Sequence, residues 1–119
     1  MYQVSVEERF RASHHLKGRE DRHEHEWRVR IIVAADRLDR FGISVDFKIL
    51  HRYLSRVVGR LAGKDLNQFV EPPSCENLAR FIFGELKKKL PHLISIEVWE
   101  GDYGSVRFSP GDQRSPSPP

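Results

Sequence analysis

The sequence predicts an α+β fold in which two helices pack on one face of a four-stranded antiparallel sheet. Two N-terminal stretches alternate apolar and polar residues, two central stretches repeat apolar residues every three to four positions, and alternation returns before the C-terminus. The element order is therefore ββααββ. With 119 residues, 39% of them hydrophobic and 31% charged, the chain is long enough for one domain with a buried core.

The first two strands are predicted at residues 3–15 and 23–35, joined by a charged turn at residues 16–22. Side chains of one parity lie on one face of a strand, so the apolar parity marks the face that is covered. In the two strands this parity comprises Tyr2, Val4, Val6, Phe10, Ala12 and His14, followed by His23, His25, Trp27, Val29, Ile31 and Val33.

Two helices are predicted next. The first spans residues 47–61, with Asp46 as its N-cap and Gly63 at its end. The second helix begins after its N-cap Ser74, because the proline pair before Ser74 blocks an earlier start. It is expected to end near residues 90–91. Their apolar stripes are Phe47, Leu50, Leu54, Val57, Val58 and Leu61 in the first helix, and Leu78, Phe81, Ile82 and Leu86 in the second.

A third strand is indicated by Ile94, Ile96, Val98 and Glu100, which share one parity. A turn at residues 101–104 leads into a short last strand at residues 105–108. The folded domain is thus expected to span residues 1–108. The remaining residues 109–119 are rich in proline and serine and are predicted to be disordered.

Composition excludes several classes of protein. The net charge of +3 and the pI near 9.2 are only mildly basic, and the only lysine run closes a predicted helix, so nucleic-acid binding is not predicted. A phosphorylated small molecule would suit the same charge. No apolar run approaches the roughly 20 residues of a membrane span, and no signal-peptide core is present. The single cysteine, Cys75, forms no internal disulfide, so a cytoplasmic location is expected.

Three histidines, His14, His23 and His25, fall on the covered faces of adjacent strands near one end of the predicted hairpin. Three converging imidazoles with a fourth position free form the ligand set of a catalytic zinc. Partly exposed histidines in a hairpin are the alternative. His15 lies on the outward parity and is not predicted to be a ligand, and no role is assigned to His51 or His92.

Glu100 is the second unusual residue, because its parity places a carboxylate on a covered face. Such a carboxylate is costly unless it is paired or hydrogen-bonded. It could accept two parallel N–H bonds from the planar, guanidine-like edge of a ligand. Alternatively, the strand ends at Val98 and Glu100 faces water.

Several short motifs follow one another along the chain. Residues 10–16 read Phe-Arg-Ala-Ser-His-His-Leu, and His23-Glu24-His25 follows. The further motifs are Trp27, Val45-Asp46-Phe47, Leu66-Asn67, Pro73-Ser74-Cys75-Glu76-Asn77 and Val98-Trp99-Glu100. In order and spacing they resemble the 6-pyruvoyltetrahydropterin synthase and 6-carboxytetrahydropterin synthase family, in which the first motif is Phe-x-Ala-x-His-x-Leu and the second is His-Gly-His. The resemblance extends over residues 2–108.

The resemblance implies the tunnelling fold, in which ββααββ protomers close their sheets into a barrel by oligomerising, usually as a hexamer of two trimers. It implies a zinc ion, held by the three histidines, that binds the side-chain hydroxyls of a reduced pterin. Glu100 would grip the pterin ring. Ser74 and Glu76 match a segment that lines the pterin pocket, although they also suit a helix cap and a first-turn acid.

The departures from the family pattern concern proton transfer. The family's catalytic cysteine position holds Arg19, and its Asp-His pair is replaced by Ala62 and Gly63. These three residues cannot relay protons at neutral pH. Cys75 lies elsewhere in the pattern and is not a substitute.

Glu20 is the candidate replacement base, because one branch of the family uses glutamate instead of cysteine and cleaves the pterin side chain. Glu20 could also belong to a solvated charged turn, together with Asp21. The sequence therefore suggests a zinc-dependent lyase acting on a pterin that resembles dihydroneopterin triphosphate. The alternative is a non-catalytic homologue that binds zinc and a pterin.

Overall fold

The computed structural model describes residues 1–111 and has the predicted α+β architecture. A four-stranded antiparallel sheet has the order β1-β2-β3-β4. Helix α1 packs mainly on β1, and α2 packs on β3 and β4. The elements are β1 (Tyr2–Leu16), β2 (Glu20–Ala35), α1 (Phe47–Leu61), a 3-10 turn (Leu66–Gln68), α2 (Cys75–Lys87), β3 (Leu93–Glu100) and β4 (Gly104–Phe108).

The first hairpin has the predicted faces but a tighter turn than predicted. Leu16 pairs with Glu20, so the turn comprises residues 17–19 and β2 begins three residues earlier than expected. Gly18 makes this turn possible by adopting a φ of 82°, a left-handed conformation that glycine adopts without steric penalty. The predicted inward parity is buried from Val6 to His14 and from Trp27 to Val33, with Glu8 half-buried among the inward residues.

The helices begin where predicted. Asp46 caps α1 by accepting a hydrogen bond from the Lys48 N–H, and Ser74 caps α2 by accepting one from the Asn77 N–H. Phe47, the first residue of α1, is exposed and does not join the buried stripe of the helix. Helix α2 ends at Lys87, earlier than predicted, and its buried stripe is Leu78, Ala79, Ile82, Phe83 and Leu86.

The start of β3 departs from simple alternation. The pairing register with β2 shifts between Ile32 and Val33. As a result Leu93 and Ser95 are buried, whereas Ile94 is only partly covered. From Ser95 onward the pairing with β2 is regular, and the predicted parity holds from Ile96 to Glu100.

Residues 109–111 belong to no helix or strand. The remainder of the tail that was predicted to be disordered, residues 112–119, lies outside the described residues. Within residues 1–111, no helix is long and apolar enough to cross a bilayer.

Candidate metal centre

Strand pairing brings the three predicted ligands together at one end of the first hairpin. His14 on β1 is the direct partner of His23 on β2, and His25 lies two residues further along the same face. The ring centroids of His14 and His23 are 4.7 Å apart, and those of His23 and His25 are 4.4 Å apart. All candidate ligand atoms lie within 4.8 Å of one another.

Backbone carbonyls determine which ring nitrogens face the centre of the cluster. His14 Nδ1 lies 2.9 Å from the Pro73 carbonyl oxygen, and His23 Nδ1 lies 2.6 Å from that of Asp21. A carbonyl only accepts, so each Nδ1 donates its proton, and in the neutral ring the lone pair is on Nε2. The two Nε2 atoms are 3.1 Å apart. This is close to the roughly 3.3 Å between nitrogen ligands of a tetrahedral zinc.

The third ring, that of His25, differs from the other two in its surroundings. Within residues 1–111, His25 Nε2 is buried with no hydrogen-bond partner. Burial lowers the pKa of His25, and the neighbouring His23 and His14 lower it further, against the opposing effect of Glu100. An unsatisfied buried group costs about 1–3 kcal/mol. The three Nε2 atoms therefore suit a metal ion, which would also give His25 Nε2 a partner.

Surrounding residues hold these rings in place. Trp27 is fully buried, donates its indole N–H to the Ala12 carbonyl at 3.1 Å, and meets the His14 ring edge-on at 5.0 Å. Asn67 holds the backbone of His15 from both sides: its Oδ1 accepts from the His15 N–H at 2.9 Å and its Nδ2 donates to the His15 carbonyl at 3.0 Å. This contact lies at the irregularity that follows His14 in β1.

The carboxylate of Glu100 lies beside the same cluster. Its Oε1 is 3.7 Å from His14 Nε2 and its Oε2 is 3.8 Å from His25 Nε2, and 25% of the side chain is exposed. Glu100 is the last residue of β3 and pairs with Trp27, which explains its position. The carboxylate can therefore reach either a ligand above the cluster or a metal within it.

Two adjoining cavities open beside the histidines. The smaller, about 390 Å³, is lined by Glu20, His23, His25, Glu100 and Tyr103. The larger, about 810 Å³, includes among its lining residues Arg19, Glu20, Ser74, Cys75, Glu76 and Glu100. The structure thus brings Glu20, Ser74, Glu76 and Glu100 to one site, with Glu20 Oε2 4.0 Å from His23 Nε2. Glu20 is the first residue of β2 and is partly buried, and it therefore lies outside the exposed turn at residues 17–19.

The profile of the 6-pyruvoyl tetrahydropterin synthase family matches residues 3–110. The chain belongs to this family. It is 34% identical to the 6-carboxy-5,6,7,8-tetrahydropterin synthase of Synechocystis sp., with 92% of this chain and 95% of that protein covered. It is 30% identical to the dihydroneopterin monophosphate aldolase of Pyrococcus furiosus, with 83% and 90% covered.

Solved structures agree with this fold. The Caenorhabditis elegans 6-pyruvoyl tetrahydropterin synthase matches with a TM-score of 0.75 at 20% identity, covering 92% of this chain and 96% of that one. A Plasmodium vivax 6-pyruvoyltetrahydropterin synthase, in a variant that replaces a glutamate described as its catalytic residue, matches with a TM-score of 0.71 at 16% identity, covering 90% and 96%. The tunnelling-fold protomer predicted from the family motifs is confirmed.

In this member of the family, the residues at the Asp-His positions have backbone roles. Ala62 is the C-cap of α1, and Gly63 has a φ of 75° and donates its N–H to the Arg11 carbonyl at 2.8 Å. Neither residue lines the two cavities beside the histidines. Arg19, at the cysteine position, is exposed in the hairpin turn and lines the larger cavity.

Cys75 lines the larger cavity but is poorly suited to replace the family cysteine. Burial raises the pKa of its thiol to about 12, with further contributions from Glu100 and Glu76. The thiol also donates a hydrogen bond to the Val98 carbonyl at 3.2 Å. Because only a thiolate is a strong nucleophile or base, this raised pKa makes Cys75 a poor proton-transfer group at neutral pH.

Tyr103 is a site residue that the sequence interpretation missed. It lies in the turn between β3 and β4, lines both cavities, and meets the His25 ring edge-on at 5.9 Å. The one sequence feature that could have pointed to Tyr103 is its position three residues after Glu100. The sequence could not show that this turn folds back over the histidines.

Proposed function

We propose that this protein is a zinc-dependent lyase that cleaves the side chain of a dihydroneopterin-type pterin with an altered set of proton-transfer groups. The observation that carries the proposal is the cluster of three imidazoles with ligand atoms within 4.8 Å of one another, in which His25 Nε2, among residues 1–111, is buried without a hydrogen-bond partner beside the smaller cavity. The names of the Synechocystis and Pyrococcus furiosus relatives support a pterin substrate.

His14, His23 and His25 would hold the zinc ion, since three nitrogen ligands and an open fourth position suit a catalytic site. When bound, zinc would acidify a coordinated hydroxyl and polarise a carbonyl oxygen. Glu100 would accept hydrogen bonds from the ring N–H groups of the pterin and so fix its orientation. Ser74 and Glu76 would line the pocket around the ring, in addition to capping α2.

Glu20 would act as the base. It removes the proton from the second side-chain hydroxyl, whose oxygen becomes a carbonyl as the bond between the first and second side-chain carbons breaks. The bonding electron pair passes into the C=N bond of the reduced ring, and protonated Glu20 can return its proton to the first carbon. One carboxylate thus suffices for both proton transfers. Two named proteins support this assignment, an aldolase and a synthase with a catalytic glutamate.

A product assay tests the reaction. The zinc-loaded protein is incubated with dihydroneopterin and with its monophosphate and triphosphate, and the pterins are identified by mass spectrometry. We expect a pterin with a shortened side chain. Glu20→Gln should lower kcat by about 100-fold or more, the range of general-base catalysis. The matched control is Asp21→Asn, which removes the neighbouring exposed carboxylate.

A full rate in Glu20→Gln would rule out this base. Pterin binding without any product, under all these conditions, would favour the non-catalytic homologue instead. Arg19, Ala62 and Gly63 favour that second candidate, because none of them can relay a proton at neutral pH.

Metal analysis tests the zinc site separately. We expect about one zinc per purified chain and near-complete loss in His25→Ala, because two remaining ligands bind zinc weakly. His92→Ala is the control, since His92 is an exposed histidine outside the cluster. A content below about one zinc per three chains in the unaltered protein would contradict the site.

A further inference from the structure

We propose that Arg19 binds the terminal phosphate of a singly phosphorylated pterin side chain and selects a monophosphate over a triphosphate. This inference rests on the proposed function for the position of the ring and the side chain. It gives a role to the residue that replaces the family cysteine.

The site groups are arranged in the same order as the parts of such a substrate. Glu100 lies 3.7 Å from His14 Nε2 and 3.8 Å from His25 Nε2, whereas Glu20 approaches His23. The two carboxylates therefore contact different histidines of the cluster. A ring held by Glu100, with its side-chain hydroxyls over the histidines, directs the end of the side chain toward Glu20. Arg19 precedes Glu20 in the chain, and both residues line the larger cavity.

The charge of the larger cavity points to one phosphate. Among the residues that line it, Glu20, Glu76 and Glu100 are acidic, and Arg19 is the only lysine or arginine. A guanidinium forms a bidentate pair with one phosphate group. A phosphate monoester carries a charge of about −2, which this single pair partly offsets. Each further phosphate of a triphosphate would add negative charge beside three carboxylates.

Arg19 is also available for such a contact. The neighbouring arginines of the hairpin are engaged: Arg9 with Glu26 at 3.1 Å, Arg11 with Glu24 at 2.7 Å, and Arg22 with Asp65 at 3.8 Å. Arg19 is exposed in the turn and, among residues 1–111, has no carboxylate within 4.0 Å of its guanidinium. A bound phosphate would therefore not have to displace an existing ion pair.

Binding measurements with ligands that are not cleaved test this role without relying on turnover. Oxidised neopterin, its monophosphate and its triphosphate are titrated into the zinc-loaded protein, and Kd is obtained from pterin fluorescence. We expect the monophosphate to bind most tightly. Arg19→Ala should weaken monophosphate binding by about 10- to 100-fold, the effect of a lost charge-assisted pair, and leave neopterin binding within about twofold.

Arg19→Lys should retain part of the affinity, because lysine keeps the charge but not the bidentate geometry. Lys17→Ala, in the same turn but not lining the cavity, should change nothing. Equal monophosphate affinity in Arg19→Ala and the unaltered protein would refute the role of Arg19 and leave the proposed function intact. A triphosphate that binds as tightly as the monophosphate would refute the selectivity. If no pterin binds, the proposed function fails, and the role of Arg19 fails with it.

Discussion

The position of Glu100 suits two different roles, an anchor for the pterin ring and a fourth metal ligand, and a substitution of Glu100 distinguishes them. Its carboxylate is 3.7 Å from His14 Nε2, close enough to become a metal ligand after a small movement, and it also borders both cavities. A pterin anchor and a fourth ligand make opposite predictions for metal content, because only a ligand contributes to metal affinity.

For Glu100→Gln we expect pterin binding to weaken by about 10- to 100-fold, because charge-assisted hydrogen bonds become neutral ones. The zinc content should stay unchanged. The measurements are Kd by fluorescence titration and zinc by elemental analysis, with Glu97→Gln as control because it lies on the opposite face of β3. Loss of zinc together with binding would instead identify Glu100 as a ligand.

Cys75 leads to a second prediction at this scale. Raising the pKa of the thiol from 9.0 to about 12 lowers its thiolate fraction at pH 8 by roughly a thousandfold relative to a free cysteine. Alkylation by iodoacetamide should therefore be very slow in the folded protein. Its rate should rise about tenfold per pH unit until the pH at which the protein unfolds. Mass spectrometry measures the rate, with urea-unfolded protein as the control. Rapid labelling at pH 8, or loss of activity in Cys75→Ser, would contradict an inert thiol.

At the scale of elements, alternation in β1 and β2 predicted that the three histidines lie together on one face, and they do, because side chains of one parity share a face of the sheet. The same alternation failed for Ile94, where a register shift in the sheet interrupts the pattern. The position of Tyr103 against the His25 ring and the hydrogen bonds of Asn67 to the His15 backbone are tertiary contacts. No periodicity in the sequence records such contacts.

The clamp by Asn67 is open to test. Asn67→Ala removes two hydrogen bonds to the backbone of His15 and leaves those groups partly buried, at a cost of about 1–3 kcal/mol of unfolding free energy. Zinc affinity should fall as well, because His14 directly precedes the residue that Asn67 holds and a displaced backbone would misplace its ring. Urea denaturation and zinc titration measure the two effects, and Gln68→Ala serves as the control. Unchanged values in both would show that β1 holds His14 without the clamp.

At the scale of the whole molecule, the two faces of the sheet differ in chemistry. The face away from the helices carries ion pairs such as Arg30 with Glu7 at 2.6 Å, and Trp99 lies under Arg28 at 3.8 Å. A cavity of about 510 Å³ on this face contains none of the histidines. The exposed apolar side chains lie elsewhere and include Leu38, Phe41, Ile43, Phe47 and Ile49. Two of these, Ile43 and Phe47, line one small cavity beside β1.

The family resemblance implies a hexamer, and two features of the chain support an assembly of copies. Strands β1 and β4 form the edges of the sheet, and open edges are usually paired or covered. Among residues 1–111, hydrogen bonds from residues 63–67 to the free edge of β1 are confined to the stretch from Arg11 to His15. The exposed apolar side chains near the start of α1 are also typical of a contact surface.

We therefore expect a mass near six chains by light scattering after size-exclusion chromatography. Phe47→Glu should shift the protein toward smaller species, because Phe47 is 60% exposed and a charge there opposes apolar burial. The substitution should not weaken the fold, since a carboxylate in the first turn of a helix is favourable. Lys48→Glu introduces the same side chain one residue later and is the control. A monomer at micromolar concentration would refute the barrel assembly, and a hexamer unaffected by Phe47→Glu would place the interface on another surface.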